Sequence, residues 1–116
     1  MDKKQQIVNL WRTCFGDSEA FISLYFDRVY KDENAMTIEK DGKIVSALQI
    51  VPYTMTYLGT EISVAYISGV CTAPEERGQG LMRQLLQETF EEMERREVAI
   101  LSLIHISEPT RQEAIS

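Results

Sequence analysis

The sequence predicts an α/β (α+β) fold: two helices, an antiparallel strand meander, a further helix and the start of another strand. Three observations predict it. Apolar residues recur at helical spacing before Ala35. They alternate with polar ones from there to Tyr66. The alternation then gives way at Pro74 to a glycine-bearing turn and a second helical pattern. With 44% hydrophobic and 26% charged residues among 116, the chain has the composition of an ordinary globular domain.

Ile7, Leu10, Trp11 and Cys14 mark the first helix, which Gly16 is placed to end in a left-handed conformation. Asp17 can cap the second, Glu19 suits its positive end, and Ile22, Tyr25, Phe26 and Val29 form its apolar stripe. Met36 and Ile38 begin the strands, and Asp41-Gly42 supplies a hairpin turn. Ile44 to Val51 is a nearly continuous apolar run suited to an interior strand, which Pro52 is expected to interrupt. Tyr53, Met55 and Tyr57 resume the alternation, Gly59-Thr60 makes a second turn, and Ile62, Val64 and Tyr66 follow. At Ser68-Gly69 the alternation changes phase, as one extra residue in a β-bulge would make it do.

The following helix, Leu81 to Glu97, presents Met82, Leu85, Leu86, Phe90 and Met93 inward, with Glu91-Arg95 and Glu92-Arg96 as favourable pairs four apart. Its first turn carries no acid, although glutamates crowd the rest of it. Gly78 and Gly80 permit a close turn before it, Arg77 and Arg83 flank its start, and the aligned peptide dipoles there favour an anion such as phosphate. Glu75 and Glu76 oppose this, so their side chains are expected to point into solvent. Val98-Ala99-Ile100 opens another strand.

Two nucleotide motifs are excluded: there is no Gly-x-x-x-x-Gly-Lys-Ser/Thr loop and no Gly-x-Gly-x-x-Gly, because Met82 and Arg83 follow Gly80-Leu81. What remains, Arg77-Gly78-Gln79-Gly80-Leu81-Met82 behind Val70-Cys71-Thr72-Ala73-Pro74, resembles the acyl-coenzyme A signature of the GNAT superfamily of N-acetyltransferases, Arg/Gln-x-x-Gly-x-Gly/Ala. Arg77 and Gly80 match. Met82 departs from the last position, as larger apolar residues do in the subgroup resembling the enhanced-intracellular-survival (Eis) aminoglycoside acetyltransferases.

The resemblance implies a truncated GNAT fold that binds acetyl-CoA as acyl donor and transfers the acetyl group to a primary amine, on a small molecule or a lysine. It places cofactor binding at Val70, Cys71 and Thr72, through main-chain groups, and at Arg77, Gly78, Gln79, Gly80, Leu81, Met82 and Arg83. A main-chain N–H near Val70 or Cys71 would stabilise the thioester oxygen. The new strand would run parallel to the bulged one, and the helix pair would flank the acceptor, bringing Phe21, Tyr25 or Asp27 within its reach. No general base or acid is assigned. Glu39 and Glu61 are candidates only by lying on strands, and the family's tyrosine acid would lie beyond Ile100. The alternative is a coenzyme A-binding regulatory or interaction module without catalysis.

Residues 101–116 read differently. Their back-translation can be written as a string that resembles a transposase-based sequencing adapter, so Leu101 to Ser116 is expected to be a non-native tail. Residues 1–100 are then the N-terminal part of a GNAT acetyltransferase domain. The only histidine, His105, falls in that tail, so no imidazole catalyst and no metal is expected, and the chain as written is expected to be inactive even if its parent is an enzyme. Leu-Ser-Leu-Ile-His-Ile alternates by chance, so strand pairing there would not establish its origin.

Cys14 and Cys71 lie far apart at no metal-ligand spacing and read as small buried hydrophobes in a reduced compartment, with no disulfide. The net charge of −6 argues against nucleic acid and fits a cationic substrate. The N-terminal segment from Met1 is amphipathic, not continuously apolar, so neither a secretory signal nor a membrane span is expected and a cytoplasmic location follows by default.

Overall fold

A computed structural model describes residues 2–103. Helix α1, Lys3–Cys14, starts where the Asp2 carboxylate accepts from the Gln5 N–H at 2.8 Å. It ends at an extended Phe15, and Gly16 keeps an ordinary φ instead of the expected left-handed one. Packing decides this ending: the Phe15 ring lies 5.1 Å from that of Trp11. Asp17, expected to cap the second helix, accepts instead from Trp11 Nε1 at 2.9 Å. Ser18 takes over as cap of α2, Glu19–Arg28, by accepting from the Phe21 N–H. Ile22 and Phe26 are buried there, while Val29, assigned to the same stripe, is exposed.

Strand β1, Ala35–Lys40, pairs antiparallel with β2, Lys43–Tyr57, through the Asp41-Gly42 turn, whose two residues have φ of 54° and 78°. Such a paired positive φ follows the twist of the flanking strands. Strand β2 runs on through Pro52 without the expected interruption, with Pro52 opposite Ala65. The reason is the register: β1 starts at Ala35, opposite Gln49, so Pro52 lies beyond the β1 ladder, in a stretch of β2 that among the described residues pairs with β3 alone. The second turn comes one residue early, at Leu58-Gly59 (φ 51° and 78°), and leads into β3, Thr60–Thr72.

After a short 3-10 turn, Pro74–Glu76, α3 spans Leu81–Arg95, and β4, Ala99–Leu103, closes a sheet of order β1-β2-β3-β4 by pairing parallel to β3. Leu101 to Leu103 thus form the end of β4. The rest of the expected tail, His105 included, lies outside the described residues.

The sheet is packed on both faces. On one, α1 and α2 bury Ile7, Trp11, Ile22 and Phe26 against Ala47 and Cys71. On the other, α3 buries Met82, Leu85, Leu86 and Met93 against Leu48, Ile67 and Val70. Ala47 and Leu48, like Val70 and Cys71, thus serve opposite cores, as the pleat requires. Phe90, expected inside, is exposed, and Thr89 occupies the core with its hydroxyl bonded to Leu85 O at 2.8 Å. Back-bonding of this kind satisfies the hydroxyl within its own helix. Arg95 and Arg96 both converge on Glu92, so the expected Glu91-Arg95 pair is replaced by Glu92-Arg95. Arg96 also reaches Asn34 Oδ1 and Glu33 O, both at 2.8 Å, tying the end of α3 to the entry of β1.

Candidate functional site

The expected bulge is present. Ala47 pairs with Cys71 and Gln49 with Ser68, so Gly69 and Val70 together oppose Leu48. Gly69 has φ +64°, and a Cβ there would lie 2.2 Å from Gln49 Oε1 and 2.4 Å from Trp11 Cζ3. Both the dihedral and the space demand glycine. Ile67, Ser68, Val70, Cys71 and Thr72 are all buried because both faces of the sheet are covered here, and the bulge resets which face each side chain beyond it serves.

Beneath it lies a polar group that sequence reasoning missed. Gln49 is 2% exposed, and neither its amide oxygen nor its nitrogen has a hydrogen-bond partner among the described residues. The buried Tyr25 hydroxyl faces Ser68 without a hydrogen bond of good geometry, and burial raises the phenol's pKa. Around them stand Trp11, whose ring centroid is 4.6 Å from that of Tyr25, and Phe21, 6.3 Å from Tyr25 in a stacked arrangement. Of the three residues expected beside an acceptor, Tyr25 meets this cluster most closely, Phe21 is at its exposed margin, and Asp27 is exposed. Gln49 was hidden because the Ile44–Val51 run reads as plain core; the one amide in it was the available signal.

Strand β3 leads from the bulge to the glycine turn. Gly78 and Gly80 have φ of +84° and +77°, with nothing within 4 Å of a hypothetical Cβ on either. Gly80 is the N-cap of α3 in the left-handed region; it supplies no side-chain cap, and no acid occupies the first turn. This main chain is an open cradle at the positive end of a helix dipole, a fit for the phosphates of a coenzyme. Met82, the departure from the family pattern, is fully buried in the α3 core, so its bulk lies away from the turn. Leu81 is half-buried, and Gln79 and Arg83 are exposed.

The charges around the turn are arranged differently from the expectation. Arg77 does not simply flank the helix start: its Nε donates to Thr72 O at 3.0 Å and its Nη2 to Cys14 Sγ at 3.6 Å, which braces the end of β3. The Thr72 carbonyl also accepts from Cys14 Sγ at 3.4 Å, and the Thr72 hydroxyl bonds that of Ser46 at 2.9 Å. Glu76 does not point freely into solvent. Lys40 Nζ holds its carboxylate at 2.8 Å and Gln79 Nε2 at 3.1 Å, which together keep its pKa low. Glu75 lies 3.5 Å from Lys43. The reason is the β1–β2 hairpin, which carries two lysines to the Pro74–Glu76 turn and neutralises the acids beside the cradle. Glu39 and Glu61 are exposed, Glu61 opposite Thr56 on the outer part of the hairpin. Among the described residues no group of three or more His, Cys, Asp or Glu could hold a metal, and no helix is long and apolar enough to cross a membrane.

A family model described as an acetyltransferase (GNAT) domain matches residues 1–111. A GCN5-related N-acetyltransferase from Anabaena variabilis shares 30% identity and superposes with a TM-score of 0.69, over 79% of this chain and 24% of that one. The chain therefore spans about a quarter of that relative's length. A predicted acetyltransferase from Clostridium acetobutylicum, solved with acetyl-CoA, has the same fold at 18% identity (TM-score 0.69, 94% of this chain and 80% of that one). So does an aminoglycoside 6'-N-acetyltransferase from Acinetobacter haemolyticus, at 16% identity (TM-score 0.67, 96% and 79%). No curated protein matches the sequence.

Proposed function

Because the chain belongs to the acetyltransferase (GNAT) domain family, we propose that it carries the coenzyme-binding half of an enzyme that moves an acetyl group from acetyl-coenzyme A to a primary amine. One observation carries the reading. A glycine-only bulge at Gly69 and a left-handed helix start at Gly80, where no side chain caps α3, occur on one continuous segment, β3 to α3. The phosphates rest on main-chain groups from Gly78 to Arg83, with the α3 dipole behind them. The pantetheine arm follows Val70 and Cys71. Thr72 contributes little through its carbonyl, which Arg77 and Cys14 already occupy. Arg77 acts indirectly, holding the end of β3 in line with the turn.

The bound coenzyme supplies the activated acyl group; the chain supplies alignment and exclusion of water. The bulge presents main-chain N–H groups near Val70 and Cys71 to the thioester oxygen. Gln49 and Tyr25 face the same place from the α1–α2 side and orient the amine by its N–H and lone pair. The acidic balance of the chain favours a polycationic acceptor, a class to which the aminoglycosides named for the Acinetobacter relative belong. The Eis-like reading rests on Met82 and this balance.

Calorimetric titration of acetyl-coenzyme A into the full chain and into Gly80→Val tests the site. Gly80 has φ +77°, so a branched residue strains the turn and fills the cradle. A loss of affinity of about tenfold or more, roughly 1.4 kcal/mol, is expected. Equal affinity would place the anion elsewhere. Thiol release by the complete parent protein with polycationic amines, compared with hydroxyl acceptors of similar size, tests the acceptor class, and turnover on the hydroxyls alone would overturn it.

A further inference from the structure

Cys14 and Cys71, which the sequence presents as two unrelated hydrophobes, meet in the fold. Cys14 is the last residue of α1, half-buried; Cys71 lies in β3, 1% exposed; both are free thiols, Cys14 packs against the buried cluster that contains Cys71, and its sulfur reaches the carbonyl of Thr72, the next residue along β3. As a thiol, Cys14 donates to Thr72 O at 3.4 Å; as a thiolate, it accepts from Arg77 Nη2 at 3.6 Å. Acetyl transfer gives the Cys14 side chain no task. A partly exposed sulfur, a guanidinium against it and a second thiol behind it are the parts of a thiol–disulfide exchange centre.

We propose that Cys14 and Cys71 form a dithiol couple that reacts with low-molecular-weight disulfides, Cys14 as the entering thiol and Cys71 as the resolving one. Cys14 Sγ attacks one sulfur of the reagent, forming a mixed disulfide as the reagent's S–S bond breaks; the departing half leaves as a thiolate and takes up a proton. Cys71 then gives up its proton and attacks Cys14 Sγ, expelling the second half as a thiol. Two protein thiols are oxidised to one disulfide, and one external disulfide is reduced to two thiols.

The roles follow from the surroundings. The hydrogen bond from Cys71 and then Arg77 pull the Cys14 thiol down to about 7, against burial and the facing charge of Glu75. The same hydrogen bond and burial push Cys71 up, so it attacks only once its neighbour is engaged. Bond formation also removes the sulfur charge that Arg77 contacts, which couples the couple's redox state to the brace at the end of β3.

The experiment exposes the reduced full chain to bis(2-hydroxyethyl) disulfide and reads intact mass and mapped peptides. This probe has no nucleotide or phosphate, so the result is independent of coenzyme binding. Wild type is expected to lose two hydrogens and yield a Cys14–Cys71 cross-linked peptide. Cys71→Ala is expected to accumulate a single hydroxyethylthio adduct at Cys14, and Cys14→Ser to react at least about tenfold more slowly at Cys71. A stable adduct without cross-link in wild type, or no reaction of folded wild type, overturns the proposal. So does unslowed reaction of Cys71 in a folded Cys14→Ser. Circular dichroism verifies folding, and if Cys71→Ala fails to fold, the wild-type cross-link map decides alone.

Discussion

The two faces of the sheet are held by different chemistry. Under α3 the contacts are aliphatic, from Leu48, Ile67, Val70, Leu85 and Leu86, and the buried hydroxyl of Thr89 is satisfied within its helix. Under α1 and α2 the packing is aromatic, around Trp11, and it encloses unpaired atoms of Gln49 and Tyr25 and the two thiols. Buried polar atoms without partners cost about 1–3 kcal/mol each, and they recur at working sites more than in scaffolds. The difference teaches that the α3 face of the sheet is plain packing, whereas the buried polar atoms that the proposed acceptor site would use lie under the helix pair, beside the bulge.

The contrast can be broken most severely at Gly69, where the aromatic face touches the backbone. Gly69→Ala forces a Cβ into Gln49 and Trp11 at a dihedral that itself disfavours alanine. Strain and overpacking together should lower stability by about 4 kcal/mol in urea denaturation; a loss under about 1 kcal/mol would mean the bulge relaxes freely. On the α3 face, Leu85→Ala removes a fully buried side chain and should cost about 3 kcal/mol. That loss should leave the reactivity of Cys14 in the folded protein unchanged, since the two clusters share no buried residue; altered reactivity would show the faces to be coupled. The smallest effect sharpens the comparison: Gln49→Leu removes the orphaned amide at similar volume, so stability should be unchanged or rise by about 1 kcal/mol. A drop of about 2 kcal/mol would show that the amide is satisfied and structural.

Much of this was legible because it is local. The Asp41-Gly42 turn, the phase change at Gly69 and the glycines before α3 each depend on residues within a few positions, and periodicity fixed which face Met82 and Leu85 present. What stayed hidden depends on distant partners. Asp17 lost its capping role because Trp11 offers an indole N–H, and Arg77 turned from the helix start because Thr72 O and Cys14 lie within reach. Glu76 is held by a lysine from a hairpin thirty-six residues earlier. Thr89, and not Phe90, continues the buried stripe of Leu85, Leu86 and Met93, and its hydroxyl can be buried because it bonds its own helix. Propensity cannot register such exchanges, and the juxtaposition of Cys14 with Cys71 is of the same kind.

The bond from Arg96 to Asn34 bears on how the chain finds its fold. Strand order in the sheet equals chain order, so the first two ladders form by hairpin closure over short turns, and the third by one longer crossover that carries α3. Contacts of that kind are reached early, because closure entropy grows with the length of chain enclosed. The Arg96 bridge encloses sixty-two residues and draws together the two ends of the sheet-and-helix unit. It therefore acts as a latch set after the strands have assembled, slowing escape from the native state more than it speeds arrival.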